Sequence, residues 1–131
     1  MRVSPDEILP SQDFLKPDTV KYIFACIKSG ELEKLPPSPI VRKDESGNLI
    51  AIDGHNLIAV KLSLGQDIDV HLASSADDGL PADSEANIQR NKDLKEKFES
   101  VITVNQQLRE TGILTFNDLL DRYKDLFQQV K

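Results

Sequence analysis

The stretch AIDGHNLIAVKLSLG, residues 51–65, decides the fold of this chain. It predicts a short apolar strand that ends at Asp53-Gly54 and a helix that begins at once and stops at Gly65. A helix that begins directly after a glycine turn presents unpaired backbone N–H groups and the positive end of its dipole. Gly54 and the amides of His55 and Asn56 are therefore a candidate anion site. The alternative is that Gly54 only makes the turn, while His55 and Asn56 only cap the helix.

The residues on either side of this stretch predict a small mixed sheet with helices. Residues 17–29 begin with Pro-Asp, have an apolar face at i, i+3, i+4, i+7 spacing, and are followed by Gly30, which predicts a helix. The apolar runs 39–43 and 48–53 flank a turn and predict a hairpin. Residues 67–73 alternate apolar and polar side chains, as in a half-buried strand.

The second half of the chain is predicted to be helical. Residues 74–84 are small, polar and rich in turn formers, which predicts a mobile linker. Apolar residues from Leu94 to Leu108 predict a long helix that ends near Gly112, and Thr115 is the predicted start of a second helix. The predicted division is a core over residues 1–73, a polar linker over 74–84, and a helical hairpin over 85–131 that either packs on the core or stands apart from it. This is an α+β organisation.

Charge and cysteine content narrow the classes of function. The net charge is -6, and residues 1–73 and 74–131 each carry -3, so neither part has an obvious basic stripe. Autonomous nucleic-acid binding is therefore unlikely on charge grounds, because it depends on clustered cations that neutralise phosphates. The single Cys26 cannot form an internal disulfide, no apolar run is long enough to cross a membrane, and the first residues lack a secretion signal. A cytoplasmic location is expected.

The order of these motifs resembles the ParB/sulfiredoxin-like fold family. After the first helix, the segment PPSPIVRKDESGNLIAIDGHNLIAVKLSLGQDIDVHL carries the match. Pro39-Ile40-Val41, Ile52-Asp53-Gly54 and Leu64-Gly65 correspond to family positions. EANIQRNKDL, residues 85–94, resembles the second ParB signature, which usually reads Glu-Asn-x-x-Arg. The resemblance implies a small mixed sheet with helices and a nucleotide, with Mg²⁺, as the ligand.

Several family positions hold other residues here. At the family position where an arginine commonly contacts nucleotide phosphates, this chain has Leu57. At the position of the acidic residue that helps to place the metal, it has Ala86. The catalytic cysteine of sulfiredoxins is replaced by His55, so sulfinic-acid reduction is not predicted. A lone histidine without Cys/His spacing is usually structural, and neither a catalytic nor a metal-ligating residue is predicted. The candidate nucleotide- or phosphate-binding residues are Gly54, His55, Asn56, Asn87 and Arg90.

Three classes of function remain open. The first is a non-catalytic ParB-like binding module that acts through a protein partner and binds a nucleotide or anion weakly. The second is a ParB-like nuclease or nucleotide-dependent phosphoryl-transfer enzyme. The third is a DNA-partitioning accessory protein, because residues 112–126 resemble the first part of the helix-turn-helix that follows the ParB core, although the sequence ends before a recognition helix. The residues found at positions 57 and 86 favour the first class.

The apolar residues of the last predicted helix also bear on whether the protein binds a second protein molecule. Phe116, Leu120, Tyr123, Phe127 and Val130 belong to one apolar stripe. The preceding helix can cover part of this stripe. The rest either packs inside the protein, as such stripes most often do, or is left exposed across the linker. Because an exposed apolar stripe commonly marks an interface, the sequence predicts a homodimer or a protein partner bound through the C-terminal helices.

Overall fold

The computed structural model describes all residues, 1–131, as an α+β fold, which confirms the predicted fold class. The strands are β1 (Arg2–Val3), β2 (Ile8–Leu9), β3 (Ile40–Lys43), β4 (Leu49–Ala51), β5 (Ile68–Asp69) and β6 (His71–Leu72). The helices are α1 (Pro17–Ser29), α2 (His55–Ser63), α3 (Glu85–Lys97), α4 (Ser100–Glu110), α5 (Phe116–Arg122) and α6 (Lys124–Val130). Short 3-10 helices lie at Pro5–Glu7 and Leu32–Lys34.

The strands form two small sheets. The larger sheet has the order β2-β4-β3-β6, and β1 and β5 form a separate antiparallel pair. Strands β3 and β4 are antiparallel, with Val41 opposite Ala51, so the predicted hairpin is confirmed. The β2-β4 and β3-β6 pairs are parallel. Helices α1 and α2 cover one face of the larger sheet. The Gly54 turn lies between the end of β4 and the start of α2.

The alternating segment 67–73 forms two strands instead of the single predicted strand. The amide of Val70 donates to the Met1 carbonyl at 2.8 Å, whereas the amide of His71 donates to the Pro39 carbonyl at 2.9 Å. Successive residues of an extended chain direct their backbone groups to opposite sides, so this segment pairs with β1 on one side and with β3 on the other. It thereby joins the two sheets.

The first two helices follow their local signals. Helix α1 has proline in its first turn and ends at Gly30, which has φ 76° and is left-handed. Helix α2 is apolar on most sides and is also packed on most sides. Leu57, Ile58, Ala59 and Val60 are all buried. Both predicted helices are confirmed within one residue at each end.

The C-terminal region contains four helices where two were predicted. The long helix divides at Phe98, where Arg42 inserts: its Nη1 donates to the Phe98 carbonyl at 2.7 Å, and its guanidinium lies 4.0 Å from the Phe98 ring centre. In a continuous helix that carbonyl would accept from Ile102. The second predicted helix divides at Tyr123, where φ -112° and ψ 24° leave the helical region. The helical spacing of apolar residues continues through both breaks, so the sequence pattern did not indicate where the helices end.

The apolar stripe of α5 and α6 packs inside the protein, which is the intramolecular one of the two alternatives that the sequence left open. Phe116 and Leu119 are 1% and 0% exposed, respectively, and belong to the main core. The Phe127 ring packs edge-on against Phe24 of α1, with ring centres 5.8 Å apart. Because α5 lies against α2 and α6 lies against α1, the stripe covers the helical face of the core.

Residues 74–84, the predicted linker, make several hydrogen bonds to the rest of the fold. The Asp78 carboxylate accepts from the Ser74 amide at 2.8 Å and from the Ser74 hydroxyl at 2.9 Å. These bonds lower the pKa of Asp78 below its ordinary value. The His71 ring donates from Nε2 to the Asp78 carbonyl at 2.7 Å. The first part of the segment is thus held beside β6.

None of the six helices is both long and apolar enough to cross a membrane.

Candidate functional site

The Gly54 turn is closed on one side by a proline. Gly54 has φ 75° and ψ 22°, in the left-handed region that favours glycine. A Cβ atom placed on Gly54 would lie 2.6 Å from both Cβ and Cγ of Pro39. Glycine is therefore required here for two reasons, the backbone conformation and the approach of Pro39.

Replacing Gly54 with alanine is expected to destabilise the protein more than the same change at Gly30. Gly30 has the same φ of about 76°, but a Cβ there would meet nothing within 4 Å, so Gly30→Ala isolates the backbone cost of about 1–2 kcal/mol. Gly54→Ala adds the clash with Pro39, about 1–3 kcal/mol more. Thermal unfolding of both variants measures the difference. Equal losses would mean that Pro39 moves away at no cost.

Arg90 reaches the Gly54 turn from α3 and is held there through its Nε and Nη2. Its Nε donates to Asp53 Oδ2 at 3.0 Å, and its Nη2 donates to the Ser38 carbonyl. Asp53 Oδ1 in turn accepts from the Ile40 amide at 2.7 Å. The side chains of Arg90 and Asp53 are 13% and 21% exposed, respectively, so this ion pair is partly shielded from water. It joins α3 to the end of β4 and the start of β3.

His55 points away from this ion pair and into the core. It is 2% exposed, and its Nε2 accepts a hydrogen bond from the Ser11 amide at 2.9 Å. Its ring lies 5.5 Å from the Phe116 ring, measured between centres. Burial, with a smaller contribution from the positive charge of Lys97, lowers the pKa of His55 from 6.5 to about 3. The imidazole is therefore neutral, with Nε2 unprotonated and already used as an acceptor.

Asn56 has a structural role at a neighbouring helix. Its Oδ1 accepts from the amide of Lys16 at 2.8 Å, directly before the first turn of α1. This bond satisfies one of the donors that a helix start leaves unpaired and fixes α1 against α2. The side chain is thereby directed to α1 and away from the Gly54 turn.

Asn87 and Asn91 hold the segment that precedes α3. The side-chain Nδ2 of Asn87 donates to the Pro81 carbonyl at 3.1 Å and to the Asp83 carboxylate at 3.0 Å. One turn later, Asn91 accepts from the Leu80 amide at 2.7 Å and donates to the Leu80 carbonyl at 2.9 Å. Together with Arg90 these residues form one polar face of α3. Asn91 was missed by the sequence reasoning, although its helical spacing from Asn87 indicates the shared face.

Of the five predicted site residues, only Gly54 and Arg90 come together, with Asp53 between them. His55, Asn56 and Asn87 turn their side chains to other partners. Asp53 and His55 also have separate partners. The backbone N–H groups at the start of α2 have no acceptors within the helix, so they are the donors that an anion at this turn would contact.

The residues at this turn do not fit a bound Mg²⁺. The nearest carboxylate, Asp53, already accepts from Arg90 and Ile40, and Ala86 has no ligand atom in its side chain. No group of three or more His, Cys, Asp or Glu side chains in the molecule is arranged to hold a metal ion. An anion at this turn would compete with Asp53 for the Nε of Arg90.

Comparisons of the chain with protein-family models, with curated proteins and with solved structures found no match. The ParB-like resemblance therefore stays a prediction from the motifs themselves.

Proposed function

We propose that this chain is a non-catalytic ParB-like binding module that acts through a protein partner and binds anions weakly at the Gly54 turn. One observation carries the proposal: Arg90, the cation retained in the second motif, is paired with Asp53 at 3.0 Å and bound to the Ser38 carbonyl. A phosphate that binds the Nε of this arginine must displace an internal carboxylate. Charge-assisted pairs of this kind are among the stronger hydrogen bonds, so the exchange costs affinity.

The protonation state of His55 supports binding over catalysis. A general base must reach the proton it removes and must have a pKa near the working pH. His55 has a pKa of about 3, and its Nε2 accepts from Ser11 inside the core. The nuclease and phosphoryl-transfer alternatives would need another residue for this role, and the DNA-partitioning alternative gains no specific support.

The partner contact is proposed to lie outside the apolar stripe of the last two helices. Phe116, Leu119 and Phe127 pack inside the protein, so a homodimer through α5 and α6 would have to use their outward residues. We therefore place the partner contact on another surface.

The variant Asp53→Asn tests the anion part of the proposal. Asparagine keeps an oxygen for the Ile40 amide but removes the charge that holds Arg90. Nucleotide affinity, measured by calorimetry with CTP, is expected to rise about tenfold, which corresponds to about 1.4 kcal/mol.

The matched control adds Arg90→Gln to the Asp53→Asn variant, and this second change should cancel the gain. Unchanged affinity in Asp53→Asn would contradict the competition between Asp53 and a phosphate. Tight CTP binding with magnesium-dependent turnover by the natural chain would restore the enzyme alternative.

A further inference from the structure

Residues 11–16, which precede α1, lie against the start of α2 and are called the strap here. The first two residues of α2 hold the two ends of the strap. The Ser11 amide donates to Nε2 of His55 at 2.9 Å, and the Lys16 amide donates to Oδ1 of Asn56 at 2.8 Å. Each end of the strap is thus bound to a side chain and not to a neighbouring strand.

The rest of the strap has few attachments. From Ser11 to Leu15, no backbone group bonds to another backbone group. The Ser11 hydroxyl donates to the Ala51 carbonyl at 2.6 Å, and Nη1 of Arg122 donates to the Asp13 carbonyl at 3.3 Å. Leu15, at 2% exposed, is the one buried residue of the strap. A segment with so few backbone bonds and buried contacts opens more readily than the sheet and helices beside it.

The bond at the Ser11 end depends on the protonation state of His55. Nε2 accepts from the Ser11 amide, so in this bond it carries no hydrogen. An imidazolium has a hydrogen on both ring nitrogens, and a proton at Nε2 would therefore face the Ser11 N–H group. The bond is then lost, and a partly buried amide is left without its acceptor, which costs stability.

The groups around His55 do not support a positive charge. Lys97, the last residue of α3, is the charged group that acts on the ring, and it opposes a proton. Asp53, in the adjoining turn, is bound to Arg90 instead. Phe116, which faces the ring from α5, is uncharged. Burial, followed by Lys97, lowers the pKa of His55 to about 3 in the closed form, whereas a histidine in water has a pKa near 6.5.

From these contacts we infer that residues 11–16 are an acid-sensitive strap, which opens when His55 takes a proton from solvent while the surrounding sheet and helices stay folded. The open form admits water to the imidazole and frees the Asn56 side chain. It also exposes Leu15 beside Phe14, which is already 46% exposed. The strap would open in the same way whether or not the chain binds a partner or an anion.

Amide hydrogen exchange of the full chain, followed by NMR at pH 7 and pH 5, tests this inference. The Ser11 and Lys16 amides are expected to have opening constants about tenfold or more above that of Ile52, whose amide donates to the Ile40 carbonyl at 2.8 Å. Between pH 7 and pH 5 the opening constants of the strap should rise about twentyfold, because the open form binds the proton and the closed form does not.

The Leu114 amide is the matched control within the same molecule. It also donates to a side chain at the surface, the Asp118 carboxylate, at 2.7 Å. The pKa of Asp118 is lowered from 3.8 by hydrogen bonds from Thr115 and Leu114, so this acceptor stays charged at both pH values. The opening constant of Leu114 should therefore stay within about twofold. The variant His55→Gln offers an acceptor that does not titrate, and it should abolish the rise at the strap.

Equal opening constants for Ser11, Lys16 and Ile52 would show that the strap leaves only on complete unfolding, and would overturn the inference. The absence of a rise toward pH 5, or an equal rise at Leu114, would also overturn it. A rise that persists in folded His55→Gln would do the same. If that variant does not fold, the comparisons within the natural chain decide.

Discussion

Replacing Phe116 with alanine is expected to lower the free energy of unfolding by about 3–5 kcal/mol. Phe116 is 1% exposed and packs against the His55 ring in the main core. Removing its ring leaves a cavity between α5 and α2, because neighbouring backbone elements relax only partly into such a space. A loss of this size is a large share of the stability of an ordinary domain.

Urea denaturation of Phe116→Ala measures this loss, and Leu114→Ala is the matched control. Leu114 lies two residues earlier and is 46% exposed, so its truncation should change stability by no more than about 0.5 kcal/mol. Similar small losses in both variants would mean that α5 does not pack on α2 in solution.

Acidification is expected to destabilise the protein through His55 before its carboxylates are affected. The pKa of His55 is about 3 in the folded protein and near 6.5 in the unfolded chain, so the unfolded chain binds more protons between these values. Stability is therefore complete above about pH 6.5 and falls as the pH decreases, by up to about 1.4 kcal/mol per pH unit. The expected loss is about 3 kcal/mol at pH 4.5.

Urea midpoints between pH 7 and about 4.5 test this slope. The range ends there because Asp78 and Asp118 have pKa values lowered from 3.8 by hydrogen bonds, so their contribution is lost only at lower pH. His55→Gln is expected to remove the slope, even if it lowers stability at neutral pH. His71→Gln should preserve it, and a slope that survives His55→Gln would assign the proton uptake to another group.

Local sequence signals were sufficient for α1, α2 and the β3-β4 hairpin. Pro17 and Gly30 bracket α1, and Gly54 separates β4 from α2, because these residues act through their own backbone geometry. The hairpin was predictable for the same reason, with Gly47 at φ 85° in its turn. These features need only neighbours along the chain.

The missed features depend on residues far apart in the sequence. Arg42 divides α3 from α4 by binding the Phe98 carbonyl, 56 positions away. The Ser11 amide donates to His55, which lies 44 positions away in the sequence. Asp53 accepts from Arg90, which lies 37 positions away. Helical spacing and motif matching report nothing about these partners. A motif can therefore place a residue at the right turn while its side chain is committed elsewhere.

The first residues of the chain also have consequences for the order of folding during synthesis. Met1 bonds to Val70, 69 positions later, while the Pro10 and Asp13 carbonyls accept from Asn105 and Arg122, 95 and 109 positions later. Contacts of such long range slow folding, because loops must close before the contacts form. At ribosomal rates the N-terminal segment waits on the order of ten seconds for its last partner to be made. Residues 1–13 are thus made well before the residues that hold them in place.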